Sequence, residues 1–382
     1  MIYFDNSATT KMFPEAVQSY QTVSEQYFGN PSSLHELGDV SSKLLKQARA
    51  SIAQQLGVHA EEIFFTSGGT EGDNWIIKGT AFKKQYYGKH IITTRIEHSA
   101  VNHAMDFLED LGFEITYLPV NKAGQVDLVE LREALRSDTI LVSIIALNNE
   151  VGVIQNLEAI GEILREYPTV HFHIDAVQTV GKMDLKLGPE SRIDMAVFSS
   201  HKFHGPRGCG FVYVKRGKDV TPLIHGGGQE MNQRSGTENL PAIVAMAKAF
   251  RLVKESEQAT QHQLKQLTDR LKQGLHQYKQ ITVFTPEEAS AVHIVCFGIK
   301  GVRGEVVVHA LEERDIYVST TSACSSKSGD TSGTLSAMGF APQVAETAVR
   351  ISLTGSNTMA EVEQFLDVLD ELYQNFDVIH SK

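Results

Sequence analysis

Between about residues 61 and 215, short runs of apolar and β-branched residues alternate with helical stretches. Seven of these runs are predicted strands: Ile63–Thr66, His90–Thr94, Glu114–Val120, Thr139–Ala146, Val170–Asp175, Met195–Ser199 and Gly210–Val214. Several are apolar almost throughout, which is typical of strands that are buried on both faces. The pattern therefore predicts an α/β fold in which a mostly parallel, seven-stranded sheet is flanked by helices.

The pattern changes near Leu240, where a long helical segment begins and runs to about Tyr278. Shorter predicted strands follow, separated by helices: Ile281–Thr285, Val292–Gly298, Ile316–Ser319 and Val349–Leu353. The last helix is expected at about Met359–Tyr373. These elements predict a second, smaller α+β domain, with the long helix as the bridge. Within it, Ser319–Thr334 is rich in Ser, Thr and Gly and is predicted to be a surface loop.

Composition narrows the class of protein. The 382 residues are 42% hydrophobic and 21% charged, which predicts a globular protein of two or three domains with a large core. Three cysteines are too few for a disulfide-built secreted module, no apolar run approaches the ~20 residues of a membrane span, and no signal peptide is recognisable. The net charge of −11 argues against direct nucleic acid binding. We expect a cytoplasmic protein that does not enter a membrane.

Polar residues at the ends of three predicted strands are candidates for chemistry. The Ser-Gly-Gly-Thr turn within Thr66–Glu71 leads from a strand into a helix, where free N–H groups form an anion cup or simply an ordinary turn. His171, His173 and Asp175 share one strand face but spread over roughly 13 Å, too far to bind one metal ion, so we predict no metal site. Asp175 sits where open α/β sheets bind ligands, or it caps the strand end.

Lys202 follows another predicted strand, among small and polar residues. A crowded lysine loses its proton more easily and becomes an amine nucleophile that forms Schiff bases. An anion cup, an aspartate at a strand end and such a lysine are the three groups that a pyridoxal phosphate site needs. They serve the phosphate, the pyridinium nitrogen and the aldehyde.

Seven motifs in order give the chain a specific resemblance: Thr66–Glu71, Arg95–His98, Asn148–Glu150, Asp175–Gln178, Ser199–Lys202, Arg234–Thr237 and Ser322–Ser325. With Phe4–Thr10 and Gly29–Ser33, they resemble the cysteine desulfurases of the NifS/IscS type, which are class-V aminotransferases of the fold-type I group that depends on pyridoxal 5′-phosphate. The similarity extends over essentially the whole chain. It implies a large cofactor-binding domain at residues 13–256 and a small domain formed by 1–12 and 257–382.

The resemblance also implies a role for individual residues. Lys202 holds the cofactor covalently and moves protons, while Asp175 pairs with the pyridinium nitrogen. Gln178 hydrogen-bonds the ring phenolate oxygen, and His98 stacks on the ring. The phosphate ligands are Gly69, Thr70, Ser199 and His201, joined by Thr237 from the other subunit of a homodimer. Asn149 and Arg350 bind the substrate carboxylate, although the local sequence alone favours a solvent-facing strand position for Arg350.

Cys324 lies in the polar loop, where exposure and thiolate character make a cysteine reactive. The resemblance implies that Cys324 attacks the sulfur of L-cysteine, which yields L-alanine and a persulfide on Cys324. Cys209 and Cys296 stand in apolar surroundings and are predicted to be small buried hydrophobic residues. Three other activities remain open: selenocysteine lyase, another pyridoxal-phosphate lyase and aminotransferase. A catalytically silent adaptor is disfavoured because Lys202, Asp175 and Cys324 are all present.

Two departures from the family bear on partners. Met231–Gln233 stands where relatives often carry an Arg-Gly pair, near the implied dimer contact. The chain stops at Lys382, soon after its last predicted helix, whereas relatives that feed iron–sulfur scaffolds carry a longer tail. We therefore expect a sulfur-acceptor protein such as a tRNA-thiolating enzyme, and consider an iron–sulfur scaffold doubtful.

Overall fold

The computed structural model describes residues 1–321 and 333–380. Thirteen strands lie within these residues: Ile2–Tyr3 (β1), Ile63–Thr66 (β2), His90–Thr94 (β3), Glu114–Leu118 (β4), Thr139–Ile145 (β5), His171–Asp175 (β6), Met195–Ser199 (β7), Gly210–Val214 (β8), Ile281–Val283 (β9), Ile294–Ile299 (β10), Ile316–Tyr317 (β11), Ser319–Thr320 (β12) and Ala348–Ser352 (β13).

Twelve α-helices connect and cover them: Pro14–Gln26 (α1), Glu36–Leu56 (α2), Gly69–Lys84 (α3), Ser99–Asp110 (α4), Leu128–Ala134 (α5), Leu157–Arg165 (α6), Leu240–Glu255 (α7), Glu257–Leu275 (α8), Gly304–Glu312 (α9), Gly333–Ala337 (α10), Pro342–Ala345 (α11) and Met359–His380 (α12). Short 3₁₀ turns occur at Ala60–Glu62, Ser200–Lys202 and Glu230–Asn232. Within the described part of the chain, no helix combines the length and apolar character needed to cross a membrane.

The seven-stranded sheet has the order β2-β8-β7-β6-β5-β3-β4, and only β8 runs antiparallel to its neighbours. This confirms the predicted fold. Four of the seven strands have the predicted limits, and the other three are one or two residues shorter. Because the remaining six strands are parallel, their carboxyl ends meet at one edge of the sheet, which is where such sheets bind ligands.

Side-chain packing separates two main cores. One buries residues of the large sheet and its helices, from Ala16 to Phe250. The other packs Ile2 and Phe4 with residues of Leu264–Leu372, around the antiparallel sheet β12-β13-β10-β9 and the parallel pair β1-β11. A third cluster, which includes Ile145 and Cys296, joins elements of both. This packing supports the domain limits at 1–12, 13–256 and 257–382, which remain a prediction.

The prediction of one long bridging helix from Leu240 to Tyr278 is wrong. It breaks at Ser256, whose backbone leaves the helical region, so that α7 and α8 are separate helices. The Ser256 hydroxyl donates to the Leu252 carbonyl at 3.0 Å, a local bond that competes with helix continuation. At the other end, α12 continues to His380, beyond the predicted limit at Tyr373. The two ends of the predicted loop Ser319–Thr334 are not loop, because Ser319–Thr320 forms β12 and α10 begins at Gly333.

Candidate active site

A cavity of about 540 Å³ opens at the carboxyl edge of the large sheet, next to β12 and β13. Ten of the predicted site residues line it: Gly69, Thr70, His98, Asn149, Asp175, Gln178, Ser199, His201, Lys202 and Arg350. They come from strands and helices far apart in sequence. The fold therefore brings them to one place.

One end of the cavity is the start of α3. Gly68 precedes the helix with φ of 151°, a conformation that favours glycine, and Gly69 and Thr70 form the first turn. Gly69 is tightly packed, since a Cβ there would lie 2.7 Å from a Val177 methyl carbon. The first N–H groups of a helix have no intrahelical acceptor and attract anions. With Ser199 at the end of β7, this turn can hold a phosphate.

Lys202 ends the 3₁₀ turn that follows β7. Its ammonium donates to two carbonyl oxygens of the N-terminal segment, that of Ser7 at 2.6 Å and that of Ala8 at 2.9 Å. The same segment is tied to the turn by the bond from the Thr10 amide to the His201 carbonyl at 2.9 Å. The first ten residues therefore help to build the site around the lysine.

Asp175 is the last residue of β6 and is almost fully buried. Its Oδ1 accepts the Val177 N–H at 2.9 Å. Burial raises the pKa of Asp175, while its interactions with His98 and Lys202 and the hydrogen bond from the Val177 N–H act in the opposite direction. One turn later, the Gln178 amide donates to the Ser7 carbonyl at 3.0 Å, and its Oε1 is buried without a hydrogen-bond partner among the described residues.

His98 caps the N-terminus of α4, and its Nδ1 accepts the Ala100 N–H at 3.1 Å. Burial lowers the pKa of His98, opposed by the charge of Asp175. A neutral imidazole whose Nδ1 is an acceptor carries its proton on Nε2. The cap thus fixes the tautomer as well as the position of the ring.

Arg350 lies in β13, the strand between β10 and β12. The expectation from local sequence that it faces solvent is wrong, because the side chain is only 7% exposed. Its guanidinium donates to the Asn149 carbonyl at 3.0 Å and to Asp5 at 2.8 Å, and its Nε has no partner among the described residues. The second Asp5 oxygen accepts the Ser319 hydroxyl at 2.8 Å. Asp5 therefore links the arginine to β12.

Two predicted residues are not placed in the cavity. Thr237 is exposed and is not among the residues that line it. Nearby, Arg234 forms an ion pair with Glu71 of α3 at 2.7 Å. Cys324 lies outside the described residues.

The other two cysteines behave as predicted, and burial explains why. Cys209 and Cys296 are 2% and 0% exposed. Burial raises the pKa of Cys209 to about 12 and also raises that of Cys296. The histidines of β6 are buried too, with ring nitrogens near the hydroxyls of Thr80 (from His171, 3.4 Å) and Ser143 (from His173, 2.9 Å). Among the described residues, no three His, Cys, Asp or Glu side chains could share a metal ion.

Sequence reasoning gave no role to Asp5, Ser7, Asp73 and Glu97, although Ser7, Asp73 and Glu97 line the cavity and Asp5 holds Arg350. Asp5 and Ser7 stand in the Phe4–Thr10 motif, and Glu97 directly precedes His98. Their places within or next to these motifs could therefore have pointed to a role in the site. Asp73 gave no such indication, because its helical position does not reveal which way it faces.

These residues fit pyridoxal 5′-phosphate. An amine, a carboxylate and a helix N-terminus face one cavity, in agreement with the three groups expected from the sequence. Gln178 and Arg350 line that cavity, and each has a buried polar atom, Oε1 and Nε respectively, without a hydrogen-bond partner among the described residues. Such atoms are costly unless a ligand or water satisfies them.

Comparisons with known proteins identify the family to which the chain belongs. The family model for aminotransferase class-V matches residues 2–365. A "NifS/IcsS protein homolog" of Lactobacillus delbrueckii subsp. bulgaricus is 51% identical and aligned over 100% of this chain and 99% of its own length. A "cysteine desulfurase IscS" of Methanosarcina thermophila is 42% identical over 98% of this chain and 92% of its own. A solved "NifS-like protein" superimposes with a TM-score of 0.92 at 39% identity, over 98% and 99% of the two chains.

Proposed function

The chain belongs to the class-V aminotransferases and, within them, to the NifS/IscS-type cysteine desulfurases, whose cofactor is pyridoxal 5′-phosphate. On this basis we propose that it converts L-cysteine to L-alanine and carries the released sulfur as a persulfide on Cys324. The observation that carries the proposal is the convergence of Lys202, Asp175, His98 and Arg350 on one cavity. The helix start suits the phosphate of the cofactor, and the arginine suits the carboxylate of an amino acid substrate.

When bound, pyridoxal phosphate supplies an electron sink for the carbon next to the substrate carboxylate. The protein's part is to hold and move protons around it. Lys202 delivers and removes protons from its place beside the Ser7 and Ala8 carbonyls. Asp175 keeps the pyridine nitrogen protonated, and His98 presents its Nε2–H, because the α4 cap occupies Nδ1. Gln178 would contact the ring oxygen, and the phosphate would be held by Gly69, Thr70, Ser199 and His201.

Arg350 and Asn149 bind the substrate carboxylate. The guanidinium is held in advance by the Asn149 carbonyl and Asp5, so that it loses little side-chain freedom when the carboxylate arrives. Its Nε is buried and has no hydrogen-bond partner among the described residues.

Sulfur transfer requires the thiolate of Cys324. The thiolate attacks the sulfur of the bound cysteine and forms an S–S bond. The bond between that sulfur and the substrate carbon breaks, and its electron pair stays with the carbon, which takes up a proton and becomes the methyl group of alanine. Reduction or transfer of the persulfide to an acceptor protein restores Cys324.

We further propose a homodimer in which Thr237 reaches the phosphate of the neighbouring subunit, since Thr237 is exposed and outside the cavity of its own chain. We propose a cytoplasmic location and a sulfur-acceptor protein such as a tRNA-thiolating enzyme. An iron–sulfur scaffold is the second candidate for the acceptor.

The test is a turnover assay with the cysteine variants. Wild-type protein loaded with pyridoxal phosphate should release alanine from L-cysteine and gain one sulfur atom on Cys324 by peptide mass spectrometry. Cys324→Ser should still bind the cofactor and change its visible absorbance with cysteine, yet release almost no alanine. The matched controls are Cys209→Ala and Cys296→Ala, whose buried thiols leave turnover intact. Wild-type alanine release by Cys324→Ser would refute the proposal.

The same assay separates the alternative activities. A selenocysteine lyase would prefer selenocysteine over cysteine and would not need Cys324. An aminotransferase would consume a 2-oxo acid and form no persulfide. We expect cysteine turnover that depends on Cys324 and that does not require a 2-oxo acid.

A further inference from the structure

Three carboxyl groups are buried in the walls of the cavity, and the proposed function uses one of them. Asp73 comes from α3, Glu97 directly precedes His98, and Asp175 ends β6. They are 1%, 6% and 4% exposed, respectively. A buried carboxylate without a cationic partner is costly, and neighbouring carboxylates raise one another's proton affinity. Three negative charges in this space therefore need compensation or protons.

The contacts of Glu97 provide hydrogen bonds but no cation. Its Oε1 accepts the Thr94 hydroxyl at 2.6 Å and the Ile145 N–H at 2.9 Å, and its Oε2 has no partner among the described residues. No lysine, arginine or histidine of the described chain forms an ion pair with it. Burial raises the pKa of Glu97 to about 8, the charge of Asp175 adds to this, and the two hydrogen bonds oppose it.

Asp73 has one basic neighbour, and that neighbour is neutral. Its Oδ1 lies 3.5 Å from the Nε2 of His173, which is fully buried. Burial lowers the pKa of His173 to about 3, so that the imidazole brings no positive charge at neutral pH. Burial, followed by the negative charges of Asp175 and Glu97, raises the pKa of Asp73 well above its ordinary value. A proton on Asp73 would also give the unpartnered Oδ1 and Nε2 a shared hydrogen bond.

Asp175 differs from the other two because a cationic side chain, Lys202, acts on it. His98 and Lys202 both favour its ionised form, as does the Val177 N–H. The titratable groups around the cluster in the described residues are therefore His98, His173 and Lys202. Of the three carboxyls, only Asp175 has positive charge nearby to stabilise a carboxylate.

We propose that the three carboxyl groups carry a single negative charge, held by Asp175, and that Asp73 and Glu97 are positioning residues kept as neutral acids. The consequence for the site, which rests on the role proposed for Asp175, is that one carboxylate alone faces the pyridine nitrogen. A charge on Asp73 or Glu97 would raise the proton affinity of Asp175 and weaken it as the partner of a pyridinium.

Infrared difference spectroscopy of the holoenzyme tests this directly, since the carbonyl stretch of a protonated carboxyl is distinct from the bands of a carboxylate. Near pH 7, Glu97→Gln and Asp73→Asn should each remove part of the protonated-carboxyl signal of the wild type. The matched control is Glu71→Gln. Burial opposes ionisation of Glu71, but its bonds with Arg234 and Ser67 lower its pKa, so that this substitution should remove no such signal.

A second experiment follows the protonated-carboxyl signal of Asp175→Asn as the pH is changed, with saturating cofactor. Without the charge of Asp175, the Glu97 acid should ionise at a lower pH than in the wild type, where its signal is expected to fade near pH 8. An unmoved titration, a wild type without a protonated-carboxyl signal near pH 7, or variants that remove none of it would overturn the proposal. If a variant does not fold, the pH titration of the protonated-carboxyl signal in the wild type still tests the proposal. None of these readouts uses cysteine turnover, so the charge assignment and the desulfurase activity can fail separately.

Discussion

At the residue scale, burial sets the charge state of the histidines near the site. It lowers the pKa of His171 to about 2 and that of His173 to about 3, and it lowers the pKa of both His201 and His204 to about 4. In the unfolded chain the same side chains take up a proton below about pH 6.5. Protons therefore bind the unfolded state first as the pH falls. The free energy of unfolding should decrease from about pH 6.5 downward, toward the folded-state pKa values.

His173→Gln isolates one of these contributions. The amide cannot take up a proton, so the dependence of the free energy of unfolding on pH between about 6 and 4 should become shallower by up to about 1.4 kcal/mol per pH unit. Urea denaturation at a series of pH values measures it. His276→Gln is the control, because that side chain is 52% exposed, and it should leave the slope unchanged. An unchanged slope in His173→Gln would contradict the buried, neutral state.

Single residues also mark where sequence reasoning stops. Lys202 and Asp175 could be found because each follows a strand whose end is predictable. Arg350, Asp73 and Glu97 could not be assigned an environment, since burial of a charged side chain depends on what packs over it from distant segments. Arg350 meets Asp5, which is 345 positions away.

At the scale of elements, the start of α3 has little spare room. A Cβ on Gly69 would lie 2.7 Å from a methyl carbon of Val177. Gly69→Ala should displace the first turn and weaken pyridoxal phosphate binding about tenfold, or ~1.4 kcal/mol, as measured by absorbance titration. Gly69→Ala combined with Val177→Ala should recover much of the loss, because the clash is removed. Val177→Ala alone is the control, and wild-type affinity in Gly69→Ala would contradict the tight packing.

The turn at Glu230–Asn232 is a second element with a specific conformation. Glu230, Met231 and Asn232 all have positive φ values of 49°, 56° and 64°. The buried Glu230 holds the turn through its ion pair with Arg49 at 2.6 Å, whereas the Met231 side chain is exposed. The left-handed conformation costs a residue with a side chain roughly 1 kcal/mol.

Met231→Gly should therefore raise the free energy of unfolding by about 0.5 kcal/mol, because the relief at this φ exceeds the extra freedom of glycine in the unfolded chain. Gln233→Gly is the matched control. Its φ of −95° suits any residue, so this substitution should lower the stability. Urea denaturation of both variants measures the difference, and destabilisation by Met231→Gly would contradict the strain.

Elements of the large sheet were predictable because several of its strands are buried runs rich in apolar residues, as in Thr139–Ile145. The boundary between α7 and α8 was not predictable, since residues on both sides of Ser256 are good helix formers. The two helices nevertheless pack against different cores. The pairing of Ile2–Tyr3 with Ile316–Tyr317 was also not predictable, because the two-residue strand Ile2–Tyr3 leaves no pattern in the sequence.

At the scale of the whole molecule, the proposed dimer is expected to affect activity directly, because Thr237 of one subunit would complete the active site of the other. Mixing Lys202→Ala subunits with Thr237→Val subunits under exchange tests it. If Thr237 completes the neighbouring site, one site of a mixed dimer carries both lesions and the other carries none. Activity should rise above that of both parents. If Thr237 served its own chain, every site would keep one lesion and mixing would recover nothing.

The central claim is that this cavity holds pyridoxal phosphate through Lys202. Reduction of the loaded protein with borohydride, followed by peptide mapping, locates the attachment. Lys182 is the informative competitor, because its Nζ lies 3.0 Å from the Lys202 carbonyl and burial lowers its pKa to about 8. We expect the pyridoxyl group on Lys202 of the wild type and on no residue of Lys202→Ala. Attachment at Lys182 or another lysine, or none in the wild type, would contradict the account.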